Sequence, residues 1–309
     1  MKPNHRNLLE IHGAVLLFGM AGLFGKLIAL PALLIVLGRV AFAALFLGLF
    51  FLFSRRGITL KQGRDYAGLV MLGIILAFHW WAFFHAIQVS TVAIGLLTFS
   101  TFPIFVTFLE PLYLELRRAA DIENREKSPR VFKRFFLALK KTRIKPSDLF
   151  LALITFAGVV LVIPRFSLND NMMQGALWGT ASGFSFALLA ILNKRYVETY
   201  SSLVIAFYQD LAAAAVLLPF VFLTEFSLAV NDILLLVLLG VVFTAGAHSL
   251  FIQGLTGVRA QTASIIACLE PVYGIIAAVF LLGEVPGLRV ILGGVVILGT
   301  SFYATLHSS

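Results

Sequence analysis

Apolar residues run through this chain in blocks of roughly twenty, set apart by short breaks marked by proline, glycine or charge. The blocks fall at 11–30, 32–53, 66–87, 92–114, 148–164, 174–192, 202–223, 232–254, 260–282 and 287–306. A helix rises 1.5 Å per residue and needs about twenty apolar residues to cross roughly 30 Å of hydrocarbon. The pattern therefore predicts an all-α membrane protein of ten transmembrane helices. Most connections are very short: Pro31 alone marks the first, and Gln88–Thr91 the third. Such turns force neighbouring helices to run antiparallel. Trp178 and Tyr196 lie near span ends, where amphipathic rings favour the interface.

Composition agrees with the pattern. In 309 residues, 60% are hydrophobic and 13% charged, with a mean hydropathy of +0.97. A soluble domain carries about 25% charged residues, so a soluble chain of this composition would lack polar surface to cover itself. The single cysteine, Cys268, sits inside an apolar block, which excludes a disulfide framework and reads as a packing residue. The first block is too long for a signal peptide and is kept as a helix.

The net charge of +9 is distributed as a membrane protein distributes it, and not as a nucleic-acid-binding domain does. With the N-terminus inside, 20 of the 24 Lys and Arg residues fall on the cytoplasmic side, eleven of them between Arg117 and Lys145. The positive-inside rule then places both termini in the cytoplasm, in agreement with an even number of spans in the cell membrane. The segment 117–147 breaks the short-loop pattern. Over 130–145 it places Phe132, Phe135, Phe136 and Leu139 at helical spacing between Lys and Arg. It is either a solvated linker or a helix lying on anionic lipid.

An internal repeat carries the most information. Phe18-Gly-Met-Ala21 resembles Trp178-Gly-Thr-Ala181, and Phe24 matches Phe184. Pro103 matches Pro271, with Gly95 and Ala263 eight positions before each, and Glu115 and Glu284 are expected to close those spans. Gly158-Val-Val-Leu resembles Gly294-Val-Val-Ile. From Pro103 to Gly158 is 55 residues and from Pro271 to Gly294 is 23, a difference of 32 that is about the length of the basic insert. The first half is then the second half plus one linker: 1–116 and 148–164 against 174–306. Five spans is an odd number, so the second half would insert upside down. Inverted repeats are a transporter architecture with the substrate site near midplane.

These residues carry a family resemblance. Phe18-Gly19, Arg39 early in span two, and Ala86-Ile-Gln-Val-Ser-Thr-Val-Ala93 leading to Pro103 look like an EamA-type half. So does the run from Gly254-Leu255 through Ala260 and Ala263 to Leu269-Glu270-Pro271 and Gly283-Glu284. The whole chain, except for its longer central insert, resembles an EamA-type member of the drug/metabolite transporter superfamily. The resemblance implies gradient- or proton-driven movement, often export, of small metabolites such as amino acids and their derivatives.

Charged residues inside a membrane cost about 2.5–3.5 kcal/mol each on insertion scales, so each demands a reason. Glu270 lies near midplane and precedes Pro271, which loosens the helix. It either ligates a cationic group or carries a coupling proton, or it makes a structural hydrogen bond. Asp210, with Tyr208 and Gln209, either lines a cavity or knits helices together. Lys26 and Arg39 share the outer third of a hairpin, where they bind a substrate carboxylate or phosphate or snorkel to the interface. His79 and His248 are proton relays or helix-to-helix hydrogen bonders. Trp80 stacks on substrate or packs. Glu110, before Pro111, reads as a solvated interface residue.

No phosphate-binding loop, His-Glu-x-x-His motif or hydrolase elbow is present in the sequence, so no cofactor and no metal are expected. The leading expectation is a secondary transporter working by alternating access, as monomer or homodimer, with a small-molecule substrate. The alternatives are an intramembrane lipid- or metabolite-modifying enzyme, which would gather polar residues near one membrane face, and a channel, which would show polar stripes.

Overall fold

The computed structural model describes residues 5–126, 146–163, 167 and 169–307. The stretch 130–145, read above as a linker or lipid-facing helix, lies outside them. The described residues form fourteen α-helices with no strand. They are α1 (His5–Ala21), α2 (Phe24–Leu27), α3 (Ala32–Ser54), α4 (Gly63–Val89), α5 (Val92–Phe99), α6 (Phe102–Glu126) and α7 (Pro146–Val162). The second half holds α8 (Asn171–Tyr196), α9 (Ser202–Leu217), α10 (Val230–Gly240), α11 (Ala247–Gly254), α12 (Ala260–Ala267), α13 (Glu270–Leu282) and α14 (Leu288–His307). A π-helical turn, Val241–Gly246, joins α10 to α11, and a 3₁₀ turn, Leu218–Leu223, follows α9.

Among the described residues, eight helical stretches are long and apolar enough to cross a membrane. Two more apolar helices, Leu149–Val162 and Leu288–Tyr303, are shorter. Large apolar side chains cover the outside: Phe53, Phe222 and Phe280 are 81%, 85% and 83% exposed. That surface is stable only against lipid or a partner of the same polarity.

Several expected spans are broken helices. The first breaks at Gly22–Leu23. The fourth and ninth break at Ser100–Thr101 and Cys268–Leu269, each two residues before Pro103 or Pro271. Proline lacks an amide hydrogen and crowds the carbonyl four residues back. Those residues, Phe99 and Ala267, are the last of α5 and α12. At the fourth span the hydroxyls of Thr98, Ser100 and Thr101 add to the effect by donating to the carbonyls of Ile94, Leu96 and Thr98. Glu115 does not close its span, because α6 runs on to Glu126 and Glu115 accepts from Arg118 within the helix at 2.7 Å. Glu284 instead accepts from the Val92 amide at 2.9 Å, fastening α5 to the end of α13.

Glycines set the closest helix contacts. A Cβ on Gly73 of α4 would lie 2.6 Å from the Ala212 Cβ, 2.6 Å from the Gln209 carbonyl and 3.2 Å from the Ala213 amide, all on α9. A Cβ on Gly240 of α10 would lie 2.5 Å from the Phe42 Cβ, 2.8 Å from the Arg39 carbonyl and 3.3 Å from the Ala43 amide, all on α3. Each partner in the first contact stands 170 positions after its counterpart in the second. On α1, a Cβ on Gly19 would lie just as close, 2.7 Å from the Glu270 carbonyl, so the start of α13 packs tightly against the first helix.

Candidate functional site

These close contacts gather polar side chains in the middle of the bundle. Arg39, on α3, is 0% exposed. Its Nε donates to the Thr244 hydroxyl at 2.8 Å and its Nη2 to the Phe243 carbonyl at 3.3 Å, both in the π turn. Its guanidinium carbon sits 3.5 Å from the ring centre of Trp80 and 5.2 Å from that of Phe84, on α4. Stacking on an aromatic face compensates part of the lost hydration of a guanidinium. Arg39 is thus buried inside the bundle, with its guanidinium engaged by the π turn and α4 rather than extended along the surface.

Two buried carboxylates share its electrostatic field, Asp210 and Glu270. His248 Nδ1 lies 3.7 Å from Asp210 Oδ1, beyond hydrogen-bond distance. His79 is buried beside Trp80, with ring centres 4.6 Å apart, and its Nδ1 lies 3.0 Å from the carbonyl and the hydroxyl oxygen of Ser182 on α8. His79 is therefore a helix-to-helix hydrogen bonder that also borders the charged group.

The group is incompletely satisfied. Among the described residues, Arg39 Nη1, Trp80 Nε1, both Asp210 oxygens, His248 Nδ1, Ser249 Oγ and Glu270 Oε2 are buried without a hydrogen-bond partner. Leaving a buried polar group unpaired costs about 1–3 kcal/mol, more for charged ones. A concentration of such groups among five helical segments is a poor way to stabilise a bundle. That concentration makes this group the candidate site.

Two expected members stand apart. Lys26 donates to the Ser90 carbonyl at 2.9 Å and the Gln88 carbonyl at 3.4 Å, at the α4–α5 turn, and does not meet Arg39. Tyr208 donates to the Ile58 carbonyl at 3.1 Å and packs edge-on against Tyr66, so it faces the α3–α4 connection rather than the charged group. Gln209 Nε2 donates to Asn193 Oδ1 at 2.6 Å, while its Oε1 is buried without a partner. Glu110 is half-buried with an unpaired Oε2, so it is not the solvated residue its position implied. Sequence reasoning misses Thr244, Phe243 and Ser182, because their types are ordinary within apolar spans.

A second polar region lies where the α3–α4 and α8–α9 connections meet. A pocket of about 200 Å³ is lined there by Arg64, Asp65, Arg117, Arg195, Glu198 and Tyr200, among others. Here the partners are matched: Tyr200 donates to Asp65 at 2.5 Å and accepts from the Lys61 amide at 3.0 Å. Loss of water around the ring, together with the Asp65 carboxylate, holds the Tyr200 hydroxyl above the usual phenol range.

Comparison with known proteins agrees with this architecture. Residues 173–306 match the EamA-like transporter family. An uncharacterized transporter of Bacillus subtilis, YxxF, is 24% identical over 92% of this chain and 84% of its own length. An uncharacterized inner membrane transporter of Salmonella typhimurium, YicL, is 26% identical over 78% and 83%. An S-adenosylmethionine uptake transporter of Rickettsia conorii is 28% identical over 48% of this chain and 49% of its own. A protein crystal structure, 18% identical, covers 97% of this chain and 96% of its own with a TM-score of 0.64, a likeness of fold alone. These names are those of transporters rather than enzymes. Residues 173–306 are thus similar to the EamA-like transporter family, in line with the resemblance read from the second half of the sequence, and the relatives above are named as transporters.

Proposed function

We propose that this protein is a proton-coupled secondary transporter that exports a small metabolite, an amino acid or a derivative of one, across the cytoplasmic membrane by alternating access. Its carrying observation is the buried group Arg39, Trp80, Asp210, His248 and Glu270, which holds unpaired donors and acceptors of opposite charge within one electrostatic field. Arg39 Nη1 and Trp80 Nε1 suit a carboxylate, and Asp210 and Glu270 suit an ammonium or sulfonium group or a proton. A relative named for S-adenosylmethionine, which bears all three kinds of group, supports that substrate class.

In this reading the chain crosses the membrane ten times, with the helices around Leu149–Val162 and Leu288–Tyr303 as the fifth and tenth spans. The two halves are inverted repeats, a reading supported by the matched Gly73 and Gly240 contacts and the paired breaks before Pro103 and Pro271. Both termini are cytoplasmic, and 117–147 links the halves. Glu270 carries the coupling proton, Lys26 supports the α4–α5 turn, and Tyr208 ties α9 to the α3–α4 connection.

Transport into or out of proteoliposomes tests this, with S-adenosylmethionine and an amino-acid panel under imposed pH gradients. Glu270→Gln is expected to remove the response to the gradient. Full, pH-dependent transport by that variant contradicts the coupling role.

A further inference from the structure

The π turn Val241–Gly246 has no structural necessity in an apolar span, and such turns cluster at functional positions. Asp65 and Asp232 are each the third residue of their helices, α4 and α10, 167 positions apart, and Gly73 and Gly240 are also 167 apart. Beyond the turn, Gly95 and Ala263, and Pro103 and Pro271, are 168 apart. One extra residue has entered between Gly240 and Ala263, and the π turn begins directly after Gly240. A π turn is the means by which a helix absorbs one residue and keeps its course.

The extra residue has a local consequence. The Ala247 amide reaches back five residues to the Val242 carbonyl, and the Thr244 hydroxyl likewise donates to the Leu239 carbonyl at 2.8 Å. Having donated, that hydroxyl keeps its lone pairs for an acceptor role, and it accepts from Arg39 Nε. The Phe243 carbonyl takes Nη2. Three constraints then hold the guanidinium: these two acceptors and the Trp80 ring 3.5 Å away. The one nitrogen left over is Nη1, buried and unpaired. Gly240 holds the start of the turn against the Arg39 backbone, where any side chain would collide.

We propose that the π turn is a built holder for Arg39, with Thr244 as its positioning residue, and that the held guanidinium presents Nη1, beside Trp80 Nε1, to an oxyanion of the solute. The oxyanion role rests on the transporter reading; the positioning role rests on geometry alone. A straight helix would lose the shared lone pair of Thr244, and Arg39 would turn toward Asp210 and Glu270, closing the anion position.

The test uses the full chain in nanodiscs, with Trp81→Phe and Trp178→Phe leaving Trp80 as the only tryptophan of the three in the sequence. Its emission reads the cation above its ring. Thr244→Val, which keeps shape and loses the hydroxyl, is expected to shift that emission; Thr244→Ser is expected to restore it. An emission unchanged by Thr244→Val, in a variant that melts as the parent does, overturns the positioning role. Titration with acetate, the smallest carboxylate, is expected to change Trp80 emission with an apparent affinity about tenfold weaker in Thr244→Val, the scale of one charged hydrogen bond. An emission indifferent to acetate and to inorganic phosphate overturns the anion position. A fluorescence response in a protein that transports nothing retains the holder and rejects the transporter reading, so the two failures are distinguishable.

Discussion

The contacts at Gly73 and at Gly240 are the same packing solution used twice. In each, a glycine lets one helix lie against a carbonyl and an amide of another, and the partner residues correspond at a constant spacing of 170. What the contacts carry is different. Beside Gly73, α4 is unbroken, and Gln209 makes a neutral amide contact with Asn193 at 2.6 Å while its Oε1 stays unpaired. Beside Gly240, the helix is widened by a π turn, and Arg39 is held with one nitrogen unpaired. The frame is duplicated and the chemistry is not. In the proposed transporter this difference gives the site one orientation of charge to match one solute.

Substitutions can break or sharpen the comparison. The largest effect is expected from Arg39→Met, which leaves Asp210 and Glu270 buried without their cation. Removing one member of a buried charged group costs about 3–5 kcal/mol, read as a fall in the thermal midpoint in detergent. A midpoint unchanged in Arg39→Met separates the carboxylates from the guanidinium. Next come Gly73→Ala and Gly240→Ala, each forcing a Cβ onto backbone atoms. Losses of about 1–3 kcal/mol are expected for both. Similar losses sharpen the equivalence of the two contacts, and a loss at only one breaks it.

Gln209→Leu removes one hydrogen bond and is expected to cost about 1 kcal/mol while leaving transport intact. Transport that collapses in this variant would give the Gly73 side a share of the chemistry. The smallest effect is expected from Tyr200→Phe at the satisfied pocket between connections. The Tyr200 hydroxyl is held above the ordinary phenol range, so its contribution is complete below the unfolded value near pH 10 and is lost as pH rises through the folded value. Thermal midpoints of parent and variant should therefore differ slightly at pH 7 and converge in alkaline buffer.

Much of this was legible in the residues, and the reasons are physical. Pro271 predicts a loosened helix, since a missing amide acts locally, whereas the pattern around Pro103 predicts a continuous span that the structure breaks. The cost of charge in lipid singled out Arg39, Asp210 and Glu270, because depth along a helix follows from residue count. Sequence spacing gives depth but not direction around the helix axis. Lys26 and Arg39 share a hairpin and point to different partners, and Tyr208 and Asp210 are two residues apart on different faces. The π turn left only a faint trace, a spacing that changes from 167 to 168, and Thr244 is an unremarked residue until that turn presents it to Arg39.

The central claim is that the buried charged group, and not the positive residue at the helix turn, carries the solute. Initial transport rates in proteoliposomes for Asp210→Asn and Lys26→Gln test it most directly, since both substitutions keep side-chain size. The account predicts that Asp210→Asn loses transport by about tenfold or more, as expected for a charged contact to the solute, while Lys26→Gln transports at close to the parental rate. Parental transport by Asp210→Asn together with loss in Lys26→Gln would contradict it.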